Sequence, residues 1–300
     1  MSDQTQPAVP LPCRPPVAPV IRADGTRIFA GISYALVSGY RPLQLDVWVP
    51  PTASPPPLVV WIHGGAWLSG DRRYLPETLR PDQLFDALRA AGLAVATVDY
   101  RHAREAPFPA QLHDVKAALR YLRAYSGELG VDATRVGAWG ESAGGHLAAL
   151  LALTADRPDL EGAIGLPGRA GPVDAVVDWY GVTDPDALPR FPPAVAASMQ
   201  LPDLPQDLLL AGADPATHDD AAPVRQVRPG APPFLVLHGT ADRLVPFAQS
   251  DALVSALRRV GAVAELDPVD GADHIFAGHP DVDALVERSV GFLVTALAET

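Results

Sequence analysis

Near the middle of the chain, Gly140-Glu141-Ser142-Ala143-Gly144 sets a serine between two glycines at the spacing of a nucleophile turn. A serine hydroxyl attacks a carbonyl carbon only if it stands clear of the backbone and a neighbouring base takes its proton. A sharp, strained turn meets the first condition. Small residues two before and two after the serine let the flanking segments approach closely. The pentapeptide by itself recurs by chance as a mere glycine-rich turn, so its setting matters. Arg135–Trp139 reads as a strand running into Gly140, and Ala143–Leu153, apolar nearly all round, reads as a buried helix. A strand–serine–helix turn is the context that the chemistry needs.

Acyl transfer places negative charge on a carbonyl oxygen, which fixed backbone N–H groups can stabilise. His63-Gly64-Gly65-Ala66-Trp67 follows the strand-like run Leu58–Ile62, and its glycines allow close approach to a substrate. The expected donors are the N–H of Gly64 or Gly65 with that of Ala143, the residue after the nucleophile. His63 reads as a residue that holds this loop. Trp67 is a candidate pocket wall, with core packing as the equal alternative.

The base must be a histidine oriented by an acid, and on a strand–turn–helix scaffold of this kind the chain order is serine, acid, histidine. The chain has eight histidines. His63, His102, His113 and His146 precede or adjoin the serine turn, His218 lies in an irregular segment, and His238 ends a strand ahead of the candidate acid. His274, in Gly271-Ala272-Asp273-His274, follows the last short strand and is the expected base, with His279 as the alternative. Asp242, in His238-Gly239-Thr240-Ala241-Asp242, follows the run Pro233–Leu237 and is the expected acid. Asp270 and Asp273 stay open as partners. Glu141, inside the serine turn, reads as a capping or ion-paired residue.

Other chemistries lack their residues. There is no His/Cys cluster at metal-ligand spacing, no G-x-x-x-x-G-K phosphate loop and no carboxylate pair suited to glycosidases, so neither a metal nor a cofactor is expected. The one cysteine, Cys13, excludes an intrachain disulfide and reads as a bystander.

These residues must be held by a frame, and the rest of the chain describes one. Short apolar runs at Leu58–Ile62, Leu93–Val98, Arg135–Trp139, Val173–Trp179, Pro233–Leu237 and Ala262–Leu266 alternate with helical spacing at 81–91, 109–125, 143–153, 247–259 and 281–298. Alternation of this kind implies an α/β fold, a mostly parallel sheet covered on both faces, with sites at the carboxyl ends of strands. Ile28–Val37 and Leu43–Val49 read as an antiparallel pair at the sheet edge. Residues 1–24 are Pro-rich and read as a flexible or surface-wrapping arm, and 25–300 as one domain. Within it, about 182–231 is long, irregular and rich in Pro and Asp, and reads as a cap over the site rather than a surface excursion. Trp179 and Tyr180, at a strand end, are candidate walls of an apolar pocket.

The 300 residues are 48% apolar, enough for a sizeable core, and carry a net charge of −12. That charge argues against nucleic acid or an anionic membrane as partner and fits a small neutral substrate. No basic start with an apolar stretch marks a secretory leader, and no apolar run approaches the roughly 18 residues of a membrane helix. The cytoplasm is the expected compartment, and oligomeric state is not legible.

Taken together, His63 to Trp67, Asp99-Tyr100-Arg101, Phe108-Pro109-Ala110-Gln111, Gly140 to Ala149, His238 to Asp242 and Gly271 to His274 resemble the α/β-hydrolase-fold serine esterases. The resemblance lies around the hormone-sensitive-lipase-like and the acetyl-xylan and feruloyl esterase-like groups. The matching segments span 58–276 in the family's order. The resemblance implies a Ser142–Asp242–His274 triad, an oxyanion hole from the 63–67 loop with Ala143, and an acyl-enzyme route for small to medium, short-acyl or aryl esters. Hormone-sensitive-lipase-like enzymes usually carry His-Gly-Gly-Gly, whereas residue 66 here is Ala. The Ala-Trp form is more similar to the feruloyl and acetyl-xylan esterases and to kynurenine formamidases, which leaves an arylformamidase as the alternative. A non-catalytic binding protein on the same scaffold is the third reading.

Overall fold

The run Leu58-Val59-Val60-Trp61-Ile62 is apolar without a break because both faces of its strand are covered. In the computed structural model, which describes residues 12–190, 204–211 and 215–298, Leu58, Val60 and Ile62 join one buried cluster and Val59 and Trp61 another. The same parity separates Val176 from Val177, and Phe234 and Val236 from Leu235 and Leu237. Two hydrophobic layers thus sandwich a single sheet.

The strands are β1 (Val20–Ile21), β2 (Arg27–Ala35), β3 (Leu43–Val49), β4 (Pro57–Ile62), β5 (Ala94–Val98), β6 (Asp132–Glu141), β7 (Ala175–Trp179), β8 (Phe234–Gly239) and β9 (Ala264–Val269). They lie in the order β1-β2-β3-β5-β4-β6-β7-β8-β9. Pairing is antiparallel from β1 to β5 and parallel from β5 through β4 to β9. The expected antiparallel pair is β2 and β3, with the two-residue β1 added outside it. Helices α2 (Ala110–Ala124), α4 (Ala143–Leu153) and α8 (Ala248–Arg259) cover one face. Helices α1 (Gln83–Ala90) and α9 (Val282–Ala296) cover the other. A short helix α3 (Ser126–Leu129) precedes β6. This is the α/β-hydrolase architecture.

Several strand boundaries differ from expectation: β6 runs from Asp132 to Glu141, β2 stops at Ala35 and β8 runs on to Gly239, and two others have a visible cause. β7 starts at Ala175 and not Val173, because Asp174 bonds Val136 with both its N–H (2.7 Å) and its carboxylate (2.8 Å) and so turns the chain into the sheet. β9 runs on to Val269 through Pro268, a residue that an edge strand tolerates.

Of the Pro-rich amino-terminal segment, residues 1–11 lie outside the described residues. Pro12 and Arg14 pair with Leu36 and Ser33 beside β2, and the Tyr121 hydroxyl donates to the Arg14 carbonyl at 2.8 Å. Cys13 is buried between them. Of the irregular segment 182–231, residues 191–203 and 212–214 lie outside the described residues. The rest holds short helices α5 (Pro205–Leu209), α6 (Pro215–Asp220) and α7 (Pro223–Gln226). A bond from Phe108 N–H to the Leu209 carbonyl (2.7 Å) fastens it to the sheet domain, and one from Val224 N–H to the Thr183 carbonyl (3.1 Å) ties its two ends together. Among the described residues no helix is long and apolar enough to cross a membrane.

Helix α4 lies under the sheet's parallel half with all of its residues buried. Leu147 is fully buried in it. Leu147→Ala is expected to cost about 2–5 kcal/mol, read as a lower urea midpoint at unchanged slope. An unchanged midpoint would show that α4 is not held by this contact.

Candidate active site

Ser142 stands between the end of β6 and the start of α4 with φ 52° and ψ −118°. That left-handed backbone costs a residue with a Cβ about 1–3 kcal/mol, and it persists only where its surroundings hold it. Here the Ser142 N–H donates to the Trp179 carbonyl at 2.9 Å, and the Ser142 carbonyl accepts from His146 N–H at 3.0 Å. The flanking glycines are needed for space. A Cβ on Gly140 would drive into the carbonyl of Gly144, and one on Gly144 into the carbonyls of Ile62 and His63.

The structure brings Ser142, His274 and Asp242 together in a line. His274 Nε2 lies 3.1 Å from Ser142 Oγ, and His274 Nδ1 lies 2.7 Å from Asp242 Oδ2. Asp242 Oδ1 accepts the N–H groups of Leu244 (2.9 Å) and Val245 (2.8 Å). Its carboxylate is fully buried. Burial alone would raise its pKa, but hydrogen bonds from His238 and His274, the charge of His274 and the Val245 N–H outweigh it and hold the carboxyl below its usual range. The two open alternatives are engaged elsewhere: Asp273 pairs with Arg243, and Asp270 accepts from Thr240 Oγ1 at 3.3 Å. Asp273 still contributes, since its Oδ1 accepts the His274 N–H at 2.8 Å and fixes the turn that carries the imidazole.

The loop after β4 is also left-handed, at Gly65, Ala66 and Trp67. His63 holds it, as expected. The His63 ring is buried, stacks on Tyr100 at 4.3 Å, and has Nδ1 2.8 Å from the Gly64 carbonyl. Burial lowers its pKa to about 4, so it stays neutral. The Tyr100 hydroxyl reaches the His63 and Gly64 carbonyls at 2.9 and 3.1 Å.

Three expectations need correction. The Gly64 N–H is not a free donor, because it is bonded to Glu141 Oε1 at 2.7 Å. A Cβ on Gly64 would collide with that carboxylate. The N–H groups of Gly65, Ala66 and Ala143 make no hydrogen bond among the described residues, and these three residues line the cavity. Trp179 and Tyr180 are not cavity walls. Trp179 shares strand parity with Ala175 and Val177, is fully buried in the layer beneath, and donates its Nε1 to Ser289 Oγ at 3.0 Å. Tyr180 is also fully buried and backs His274, with its ring 4.9 Å from the imidazole. Trp67 does line the cavity, and its Nε1 is anchored 3.2 Å from His146 Nδ1.

The cavity over Ser142 holds about 350 Å³. Its apolar walls are Leu68, Val182, Leu188, Pro205, Val245 and Ile275, with Glu141, Ser142 and His274 at its base. Leu188, Pro189, Pro205 and Gln206 bring the 182–231 segment onto it. Among the described residues no group of three or more His, Cys, Asp or Glu side chains could hold a metal.

Glu141 is the residue whose part the sequence concealed. It is buried, has no ion pair among the described residues, and acts as the clamp on the Gly64 N–H. Burial pushes its carboxyl up to about 7, against the charge of His274, the Gly64 bond and the Tyr180 hydroxyl.

Residues 45–257 match the family model described as BD-FAE. The chain is similar to Esterase LipC of Mycobacterium tuberculosis, 35% identical over 79% of this chain and 58% of that protein. It thus spans little more than half the length of such curated relatives. Among solved structures, a truncated form of a carbohydrate esterase from gut microbiota is similar with TM-score 0.75, 26% identity, 95% of this chain and 100% of that one. Thermogutta terrifontis esterase 2 phosphoramylated by tabun is similar with TM-score 0.71, 27% identity, 90% of this chain and 96% of that one.

The raised pKa of Glu141 has a signed consequence. Its folded pKa exceeds the usual value, so its contribution to stability is full below pH 4.5 and is lost as pH rises toward about 7. Glu141→Gln keeps an acceptor for Gly64 but cannot ionise. Urea unfolding across that window should show the wild type losing on the order of 3 kcal/mol relative to Glu141→Gln. A difference that stays constant with pH would refute the assignment. Asp114 and Asp178, also pushed up to about 6 by burial, act equally in both proteins and cancel.

Proposed function

The chain belongs to the BD-FAE family, and from that premise we propose that it is a serine carboxylesterase acting on small to medium esters. The observation that carries this reading is the continuous path Ser142 Oγ–His274–Asp242 opening onto a single apolar cavity. In the proposed route Ser142 Oγ attacks the ester carbonyl carbon while His274 Nε2 takes the hydroxyl proton. Charge on the tetrahedral oxyanion falls to the N–H groups of Gly65, Ala66 and Ala143, since the Gly64 N–H is engaged. The intermediate collapses, and His274 returns the proton to the leaving alcohol. Water then attacks the acyl-serine, again through His274, and frees the acid.

The substrate is a small-molecule ester, and the reaction needs no cofactor. Segment 182–231 is read as a cap, supported by Leu188, Pro189, Pro205 and Gln206 in the cavity wall. The modest cavity and its apolar walls favour short-acyl or compact aryl esters over long lipid chains. The esterase names of the relatives support an ester as the scissile bond, and nothing in the site favours a formamide.

The test is hydrolysis of p-nitrophenyl acetate, butyrate and palmitate by the wild type, Ser142→Ala and Asp242→Asn. The acetate and butyrate should be preferred to the palmitate. Ser142→Ala should lower kcat by roughly 10⁶, and Asp242→Asn by about 10⁴. Equal rates in wild type and Ser142→Ala would overturn the esterase reading. A preference for palmitate would overturn only its short-acyl part.

A further inference from the structure

We propose that His238 is a positioning residue that holds and tunes the triad through Asp242, an inference that rests on the hydrolase reading above. His238 lies in β8, four residues before Asp242, and is fully buried. Its Nε2 stands 2.9 Å from the Val245 carbonyl oxygen and 3.2 Å from Asp242 Oδ2. A carbonyl and an ionised carboxylate only accept, so this nitrogen carries a hydrogen in either protonation state of the ring. On the other side, Nδ1 is 2.6 Å from Ser250 Oγ of α8. The rings of Tyr180 and Phe247 stand edge-on to the imidazole at 6.5 and 5.6 Å.

Asp242 Oδ2 therefore faces two imidazoles, His274 at 2.7 Å and His238 at 3.2 Å. A histidine that merely filled the core would be satisfied by Val245 and Ser250. Its approach to Asp242 Oδ2 is the extra contact, and it has two effects. It fixes the direction in which the carboxylate presents Oδ2 to His274. It also disperses part of the carboxylate's charge, so that the imidazolium formed during reaction is held less tightly than a lone carboxylate would hold it. Without the His238 N–H, Asp242 stabilises protonated His274 more strongly, and the base is unprotonated only at higher pH.

Other groups face this pair. Asp178 of β7 acts on His238 through its charge, and Glu141 at the end of β6 acts on His274. Tyr180 backs both rings, and Asp273, paired with Arg243, accepts the His274 N–H. All of them are unchanged among the variants below, so differences between variants isolate His238.

The experiment compares wild type, His238→Leu, His238→Gln and Ser250→Ala. It follows the pH dependence of kcat/KM on p-nitrophenyl acetate and of the rate at which a fluorophosphonate probe labels Ser142, with thermal unfolding of each protein. His238→Leu should raise the acid limb of both profiles by about one pH unit and lower the plateau rate roughly 10- to 100-fold. His238→Gln, whose side-chain N–H can reach the same oxygens, should keep the wild-type limb and most of the rate. Ser250→Ala removes only the outer anchor and should give an intermediate displacement. If His238→Leu does not fold, the contrast between Ser250→Ala and His238→Gln decides. Acid limbs that match the wild type in His238→Leu and Ser250→Ala, whatever their stability, overturn the inference and leave the esterase reading intact. A wild type whose Ser142 takes up no probe overturns both.

Discussion

One backbone conformation governs the arrangement of this molecule: the left-handed turn at Ser142, between a strand buried on both faces and a helix buried all round. A residue with a Cβ enters that region at a cost, so the surroundings must hold it there. The end of β6 is seated between β4 and β7, and Ser142 itself is bonded to the Trp179 carbonyl. Gly140 and Gly144 let strand and helix close to contact distance, and nothing larger fits either place. Parallel pairing of β4, β6, β7, β8 and β9 then brings the loops after those strands to one edge of the sheet.

The cost is not confined to the serine. Ala66, Trp67, Ser142, Tyr180, Ile275 and Phe276 all adopt positive φ, and all lie in the turns around the cavity or directly behind it. Polar contacts brace the loops that carry them. Glu141 clamps Gly64, Tyr100 spans two carbonyls of the 63–67 loop, and Asp273 fixes the His274 turn. His146 joins the loop to segment 182–231, with Nδ1 against Trp67 and Nε2 against the Ala221 carbonyl at 2.7 Å. Local strain around the reactive serine is thus balanced by buried polar bonds rather than by mobility.

Much of this was legible in the sequence because it is local. The serine turn, the His-Gly-Gly loop and the runs of β4, β6 and β8 are set by spacing within a few residues. The order serine, acid, histidine follows from strand-end placement. What could not be read depends on partners far apart in the chain. Whether the Gly64 N–H is free is decided by Glu141, 77 residues later. Trp179 looked like a wall because it ends a strand, yet its parity with Val177 already assigned it to the layer beneath. His238 precedes the acid in the chain, which excludes it only as the base. Chain order selects a base, but it is silent on which groups stand behind a carboxylate.

That layer beneath the site has its own continuity. Trp61, Trp139 and Trp179 meet edge to face at 6.0 and 5.1 Å, Trp179 meets Phe276 at 5.1 Å, and Phe276 meets Tyr180 at 4.7 Å, beside the base. Edge-to-face contacts fix ring orientation as well as distance. Three fully buried indoles locked this close together in a chiral layer act as coupled chromophores. The molecule therefore carries an intrinsic optical reporter whose last member touches the imidazole turn, so that displacement of that turn is written into the near-ultraviolet spectrum without any label.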